Sequence, residues 1–392
     1  MKVGIYFPGS LPESGGAYTY EYELLCSFLS LLHESHHEFC ILSNINVTNV
    51  VSDFSRYNIS NVIIPRNSLV ALIFKKILFR YVGATSSLNK VIADNDIEVL
   101  LSLIPITEPV DCPYITPLWD LQHRLQPWFP EVSENGLWSK RENHYSVTLR
   151  RAMTIVTGTL ESQSEISSFY GIPKERIKVL PMPTPDYCIS TQQRRNRGNI
   201  KQFNINGSYL FYPAQFWAHK NHVNCIRALK ILRHKYEIPL SLVFVGSDKG
   251  NLPYVTDFIS EQGLNTYVHI LGFLSRDDII SLYQNAFALI FPTFFGPDNL
   301  PPLEAFALGC PVVASNVLGA DEQFGNAALL FNPSDPDEIA KAIATLFHNP
   351  TLRTELIDRG YQRAVKWTGK DYMRAILSIL DEFENIRISW KT

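Results

Sequence analysis

The sequence lacks closely spaced cysteines. None of its six cysteines belongs to a CxxC pair, and they are scattered along the chain: Cys26, Cys40, Cys112, Cys188, Cys225 and Cys310. Several lie inside apolar runs, which is typical of reduced thiols in a protein core. We therefore expect neither a disulfide framework nor a cysteine metal site, and we expect a reducing compartment.

Long apolar runs and an excess of one charge sign are also missing. Thirty-five lysines and arginines face thirty-eight acidic residues, for a formal net charge of -3. A near-neutral chain has no global electrostatic reason to bind nucleic acid. No uncharged stretch is long enough to span a bilayer, and the apolar run at residues 3–7 is too short for a signal-peptide core. We expect a cytoplasmic protein without a nucleic-acid partner.

What is present is an alternation of short apolar runs with longer helical patterns. The 392 residues are too many for one ordinary domain and suit two. The predicted strands of the first half are residues 3–7, 38–42, 61–65, 98–104, 114–118, 154–156 and 178–180. Those of the second half are residues 209–212, 241–246, 268–272, 288–291, 311–314 and 327–331. This rhythm predicts an α/β fold with mostly parallel sheets.

A polar, basic stretch, Ser190–Asn206, divides the two halves. Its composition predicts a linker between a domain of residues 1–189 and a domain of residues 207–366. Residues 367–392 are predicted to form a helix that packs back on the first domain. Ligands bind at the carboxyl ends of strands in open α/β sheets, so two such domains would face each other across a cleft.

Three loops that follow predicted strands contain candidate binding residues. Gly15 and Gly16 end the glycine loop of residues 9–16, which could hold phosphate at a helix N-terminus or be a plain flexible loop. His123 follows the strand at 114–118, where it could bind a sugar hydroxyl or serve only the loop's structure. Lys220 follows the strand at 209–212 and could reach a diphosphate, although most lysines are simply solvated.

The most specific pattern is the segment from Phe291 to Ala314, which combines a strand, a proline-rich loop, a helix and a strand. The glycine and prolines favour a rigid loop whose backbone N–H groups open a helix at a strand's carboxyl edge, where phosphate fits. Glu304 lies in the first turns of that helix. A carboxylate there can accept hydrogen bonds from both hydroxyls of a ribose.

This segment resembles the large retaining glycosyltransferase family of GT-B fold, which includes sucrose synthases and many bacterial polysaccharide mannosyl- and glucosyltransferases. Members commonly read EGFGLPPLEAMACGCPV where residues 296–312 read GPDNLPPLEAFALGCPV. The resemblance covers the whole chain and is strongest over residues 209–331. It implies a GT-B fold of two Rossmann-like domains and a nucleotide-sugar donor.

By position, the resemblance assigns the nucleotide ribose to Glu304, the diphosphate to Lys220 and the surroundings of the donor sugar to His123. These three are the predicted catalytic residues. The predicted donor-binding residues also include Gly15, Gly16, Gln215, Leu274, Gly296, Pro297, Asp298, Asn299, Leu300 and Pro301, with Leu274 near the base.

Two positions depart from the family pattern. The first glutamate, eight positions before Glu304, is Gly296 here, and Asp298 or Asn299 is a candidate replacement. The arginine five positions before Lys220 is Gln215, so one positive charge on the diphosphate is lost. His219 and Arg124 are the candidate replacements for that charge.

The resemblance implies transfer of a hexose with retention of anomeric configuration, by front-face attack, to a glycan or lipid-linked glycan. GDP-mannose or a related GDP-sugar is the favoured donor, and no cofactor or metal is implied. Asp335-Pro336-Asp337 matches a DxD string, but we interpret it as a helix start. A nucleotide-sugar epimerase and a catalytically silent nucleotide-sugar-binding protein of the same fold are the alternatives.

One segment suggests contact with a membrane surface. Ser68–Tyr81 (SLVALIFKKILFRY) combines apolar residues with Lys75, Lys76 and Arg80. A basic, apolar helix can lie on an anionic membrane, and it can equally be a core helix with one basic face. If the acceptor is lipid-linked, this segment would dock the enzyme at the inner face of the membrane.

Overall fold

The structure, a computed structural model, describes residues 1–51, 54–65, 86–106, 108–193, 198–296 and 298–390, apart from the side chains of Gln192 and Gln193. The candidate membrane segment Ser68–Tyr81 and the predicted donor-binding residue Pro297 lie outside these residues. Within them, no helix has the length and apolarity that a membrane crossing requires. All six cysteines are free thiols, four of them buried.

The first half of the chain forms a parallel sheet of seven described strands. They are β1 (Lys2–Phe7), β2 (Glu38–Ser43), β3 (Ser60–Ile63), β4 (Val99–Ser102), β5 (Tyr114–Pro117), β6 (Thr154–Thr157) and β7 (Ile177–Val179). Their spatial order is β3-β2-β1-β4-β5-β6-β7. β1, β4, β5 and β6 are almost wholly buried, because helices cover both faces of a parallel sheet.

The second half forms a parallel sheet of six described strands. They are β8 (Tyr209–Pro213), β9 (Ser241–Val245), β10 (Val268–Ile270), β11 (Ala288–Phe291), β12 (Val312–Ser315) and β13 (Ala328–Phe331). Their order, β10-β9-β8-β11-β12-β13, repeats the order of the first six strands of the other sheet. Both orders reverse direction beside the first strand, as in a Rossmann fold. The predicted α/β fold with two Rossmann-like units is confirmed.

Helices connect the strands and cover the sheets. In the first half they are Gly16–Ser30, Ser87–Asp94, Gln122–Leu125, Pro130–Ser133, Leu137–Arg151, Leu160–Tyr170 and Asp186–Gln193. In the second half they are His222–His234, Leu252–Glu261, Arg276–Asn285, Leu300–Ala307, Ala320–Phe324, Pro336–His348, Pro350–Ala364 and Gly369–Arg387. The predicted helix start at Asp335 is confirmed, because its carboxylate accepts hydrogen bonds from the N–H groups of Asp337 and Glu338.

The segment predicted to be a linker is partly helical. The helix Asp186–Gln193 extends into it from the N-terminal side, and its Cys188 is fully buried. The role of residues 190–206 as a linker between two domains stays a prediction. Residues 194–197 lie outside the described part of the chain.

The last helix, Gly369–Arg387, returns to the first half of the chain. Thr368 and Asp371 cap it reciprocally, and it packs along the helix Gly16–Ser30. The hydroxyls of Tyr20 and Tyr372 are 2.7 Å apart in this interface. The helix thus ties the end of the chain to the element that opens the glycine loop.

Candidate active site

The switch points of the two sheets place three of the predicted loops together. The glycine loop follows β1, the loop that contains Lys220 follows β8, and the loop before Glu304 follows β11. β1 and β8 are the strands beside which the strand order reverses, and ligands of such sheets bind outside the strand ends at that point. The two sheets face each other there, since the side-chain amide of Gln215 donates to the carbonyl of Glu13 at 2.8 Å.

The cleft between these loops contains two adjoining cavities of about 360 and 470 Å³. Gly15, Gly16, Leu274, Leu300 and Pro301 line both of them. Lys220 lines the first cavity, and Glu304 lines the second. A ligand that fills both cavities would therefore extend past the glycine loop from the lysine to the glutamate.

The glycine loop is shaped by its backbone. Gly15 has a φ of 66° and caps the helix Gly16–Ser30, whose first N–H groups open on the cleft. A side chain would be strained at that φ, which explains the glycine. Gly16 approaches the opposite domain closely, because a Cβ there would lie 3.9 Å from Leu300 Cδ1.

A buried carboxylate holds the start of this loop. The Glu21 oxygens accept hydrogen bonds from the N–H groups of Gly9 and Ser10, each at 2.8 Å. Glu21 is almost completely buried in the first helix turns. Nothing in the sequence marked it, because its partners are backbone groups.

Replacing Glu21 with Gln should destabilise the protein by about 1–3 kcal/mol, because one backbone N–H would then face the NH₂ of the amide. Denaturant unfolding measures this change. Glu13→Gln, an exposed position in the same loop, is the matched control and should leave the unfolding midpoint unchanged. Equal midpoints for the two variants would contradict the assigned role of Glu21.

Lys220 supplies a positive charge to the first cavity. It ends the short turn Ala218–Lys220 after β8, and its Nζ lies 5.4 Å from the centre of the Phe291 ring. Among the described residues that line this cavity, it is the only lysine or arginine. Burial lowers the pKa of Lys220 to about 8, so the ammonium is mostly charged at neutral pH.

The two residues considered as replacements for the missing arginine do not add a positive charge here. Burial lowers the pKa of His219 to about 4, and its neutral ring donates through Nδ1 to Glu131. Arg124 forms a bidentate ion pair with Glu142 through Nε and Nη2. His219 lines the first cavity as a neutral ring, and Arg124 is paired with Glu142 and does not line it, so their role as replacement charges stays a prediction.

The loop after β11 contacts both domains. Gly296 has a φ of 110°, and its carbonyl accepts a hydrogen bond from the side-chain amide of Asn299. Asp298 accepts hydrogen bonds from the backbone N–H of Met182, in the first domain, and from the side-chain amide of Gln323. Burial raises the pKa of Asp298 to about 7. Asp298 and Asn299 both line the first cavity, so each remains a candidate for the missing glutamate.

Glu304 is held by two tyrosines, both packed against the core of the second sheet. Its Oε1 accepts from the hydroxyl of Tyr187, at 2.7 Å, and its Oε2 accepts from the hydroxyl of Tyr283, at 2.8 Å. Burial raises the pKa of Glu304, while these two hydrogen bonds oppose the shift. Each oxygen has a second lone pair for a ligand hydroxyl. The sequence did not reveal either tyrosine, because both lie far from Glu304 along the chain.

The second cavity also contains an arginine that sequence reasoning missed. Arg276 begins the helix after Leu274 and Ser275, and its guanidinium carbon lies 4.5 Å from the centre of the Tyr187 ring. It also faces the Tyr22 ring of the opposite domain, at 5.6 Å. The available signal was the Ser275 cap, which places the next residue at a helix N-terminus beside the cleft.

His123 lies behind the cleft wall. Its ring is fully buried between Trp138 and Tyr145, and its Nε2 is 3.3 Å from Glu142 Oε2. Burial lowers its pKa. Among the described residues, Trp119 and not His123 lines the first cavity, because the helix Gln122–Leu125 turns the histidine inward. A direct contact between His123 and a donor sugar stays a prediction.

Comparison with known proteins identifies the family. The model of the family "Glycosyl transferases group 1" matches residues 194–363, the part of the chain that contains Lys220 and Glu304. The chain is 23% identical over 267 residues to the Escherichia coli O-antigen chain mannosyltransferase B, an alignment that covers 65% of this chain and 70% of that protein.

A second relative and a solved structure agree with this match. The chain is 27% identical over 223 residues to the MMP alpha-(1->4)-mannosyltransferase of Mycolicibacterium hassiacum. This alignment covers 55% of this chain and 51% of the relative. The structure of Anabaena HepE in complex with UDP-glucose superimposes with a TM-score of 0.68 at 16% identity, covering 97% of this chain and all of that one. Residues 194–363 therefore match the group 1 glycosyltransferases, and the chain has the GT-B fold.

Proposed function

We propose that this protein is a hexosyltransferase that takes its sugar from a nucleoside-diphosphate donor bound in the cleft. The observation that carries the proposal is the placement of Lys220 and Glu304 in adjoining cavities, with the N-terminus of the helix Gly16–Ser30 beside both. The ammonium suits the diphosphate, and the carboxylate suits the ribose hydroxyls. The leaving diphosphate gains negative charge as the glycosidic bond breaks, and Lys220 would stabilise it there.

The favoured donor is GDP-mannose or a related GDP-sugar, and the favoured acceptor is a glycan or lipid-linked glycan. The mannosyltransferase names of the two relatives support the sugar. The O-antigen chain named for the Escherichia coli relative supports a glycan acceptor. We further propose transfer with retention and without a metal ion, in which the departing phosphate oxygen takes the proton of the acceptor hydroxyl.

A thermal-shift screen with GDP-, UDP- and dTDP-sugars tests the donor. A ligand at 100 times its Kd stabilises the folded state by about 2.7 kcal/mol, so a selective donor gives a clear shift. We expect GDP-mannose to give the largest shift and to be hydrolysed slowly without an acceptor. Binding without any turnover would indicate a silent binding protein, and conversion to an epimeric nucleotide sugar would indicate an epimerase.

Donor affinity should fall as the pH rises from 6 to 9. Lys220, with a pKa of about 8, loses its positive charge over this range, and Asp298, with a pKa of about 7, gains a negative charge in the same cavity. Both changes make the cavity less positive and therefore weaken the binding of an anionic diphosphate. Calorimetric titration measures the donor affinity at each pH. An intact nucleotide sugar is the suitable ligand, because its diphosphate diester does not titrate between pH 6 and 9.

Two variants separate the contributions to this profile. Asp298→Asn should remove the step near pH 7, and Lys220→Met should remove the step near pH 8. A wild-type affinity that stays constant across the range would contradict the placement of the diphosphate beside these groups.

A further inference from the structure

A cluster of histidines and carboxylates lies where the last helix passes the amino-terminal end of β2, away from the cleft. His36 and His37 precede β2, and Asp381 and Glu384 lie one helical turn apart on the helix Gly369–Arg387. Residues three apart on a helix share a face, so both carboxylates point at the two imidazoles. Nothing in the proposed transfer reaction uses this cluster.

Three potential ligand atoms converge in it. One nitrogen from each of His36 and His37 and one oxygen of Asp381 all lie within 4.8 Å of one another. His37 Nε2 and Asp381 Oδ1 are 3.1 Å apart, and His36 Nδ1 and Asp381 Oδ1 are 4.0 Å apart. Ligands of tetrahedral zinc, at about 2.0–2.2 Å from the ion, are roughly 3.3 Å from each other. The exposed His36 ring would have to rotate to bring its Nδ1 to this distance.

The buried member of the cluster has an unused nitrogen. The His37 side chain is fully buried, and its Nε2 has no hydrogen-bond partner among the described residues, although Asp381 Oδ1 is close. The relative orientation of the His37 ring and the Asp381 carboxylate therefore does not allow a hydrogen bond between these two atoms.

Glu384 occupies the outer position that metal-binding histidines use. Its Oε2 is 2.6 Å from His36 Nε2. Its Oε1 is 2.9 Å from the N-terminal ammonium of Met1, which also lies 3.4 Å from His37 Nδ1. A carboxylate that accepts from one ring nitrogen fixes the tautomer and leaves the other nitrogen free to bind a metal.

We propose that His36 Nδ1, His37 Nε2 and Asp381 Oδ1 form a site for zinc or a similar divalent transition metal, with water as the fourth ligand and Glu384 as the outer carboxylate. Two imidazoles and one carboxylate suit zinc, and the exposed His36 and Asp381 leave the ion a path from solvent. A bound ion would link the last helix to the turn before β2. It would therefore stabilise the packing of that helix against the first domain.

Zinc and cobalt titrations of the tag-free, full-length protein test the site. We expect one Zn²⁺ per chain by competition with a chromogenic chelator, and the intense visible absorption of tetrahedral Co²⁺. His36→Ala and Asp381→Asn, both at exposed positions, should each weaken binding at least tenfold. Glu384→Gln should weaken it about 10-fold or more, as loss of an outer carboxylate does.

His33→Ala is the matched control, since His33 is an exposed histidine three residues before His36. It should leave both the affinity and the cobalt spectrum unchanged. Absence of one-to-one binding, or binding that survives both His36→Ala and Asp381→Asn, would overturn the proposal. These titrations contain no nucleotide sugar, so their outcome is independent of the proposed transferase activity.

Discussion

Replacing Lys220 with Met should lower kcat/KM for the nucleotide-sugar donor by about 10²–10³-fold. The leaving diphosphate gains charge in the transition state, and Lys220 is the only lysine or arginine among the described residues lining the first cavity. Because Gln215 replaces the family's arginine, the described lining of this cavity offers no second lysine or arginine to stabilise the diphosphate. The loss should fall more on kcat than on KM, because the charge is larger in the transition state than in the bound donor.

Folding should not explain this loss. Burial lowers the pKa of Lys220, so its charged form opposes folding below pH 8, and an uncharged Met should not lower the unfolding temperature. Lys249→Met is the matched control, since Lys249 faces the Trp217 ring at 5.9 Å without lining the described cavity. It should keep kcat/KM within about twofold. A Lys220→Met enzyme with near wild-type kcat would contradict the account.

Replacing Glu304 with Ala should raise the donor KM by about 10²–10⁴-fold with little change in kcat. Hydrogen bonds to a charged group contribute about 1.5–3 kcal/mol each, and two ribose hydroxyls would lose their acceptor. The ribose does not react, so its contribution is the same in the bound donor and the transition state. Steady-state kinetics with a saturating acceptor separate the two constants.

The tyrosines that hold Glu304 provide the control for this variant. Tyr187→Phe removes one hydrogen bond to the carboxylate and leaves the carboxylate itself, so we expect a KM change of only a few-fold. Glu304→Gln keeps the volume and one acceptor oxygen, and it should lie between Tyr187→Phe and Glu304→Ala. An unchanged KM in Glu304→Ala would show that the ribose binds elsewhere.

The sequence predicted the sheets well, because strands buried on both faces must be continuous apolar runs. Every strand of both sheets overlaps a predicted one, and β11 (Ala288–Phe291) has the predicted bounds. The strand ends were less predictable: the predicted strand 98–104 continues to the apolar Leu103 and Ile104, yet β4 ends at Ser102. The apolar residues there indicate burial. The end of the strand depends instead on where its backbone stops pairing with the neighbouring strand.

The sequence predicted cleft residues only where they belong to a short loop motif that follows a strand. Gly15, Gly16, Lys220 and Glu304 follow strands at the switch points, and the structure places all four along the two cavities. Partners that are distant along the chain left no local signal, and Tyr187, which donates to Glu304, is the example. His123 follows a strand of the first sheet, but its side chain turns into the core and is fully buried, which its place in the chain did not reveal.

A crystal structure of the protein with a bound nucleoside diphosphate tests the central claim most directly. The account predicts the diphosphate within about 3 Å of Lys220 Nζ and both ribose hydroxyls on the Glu304 carboxylate, with the nucleotide filling the two cavities. Saturating nucleotide that leaves this cleft empty, or that binds with its diphosphate away from Lys220, would contradict it.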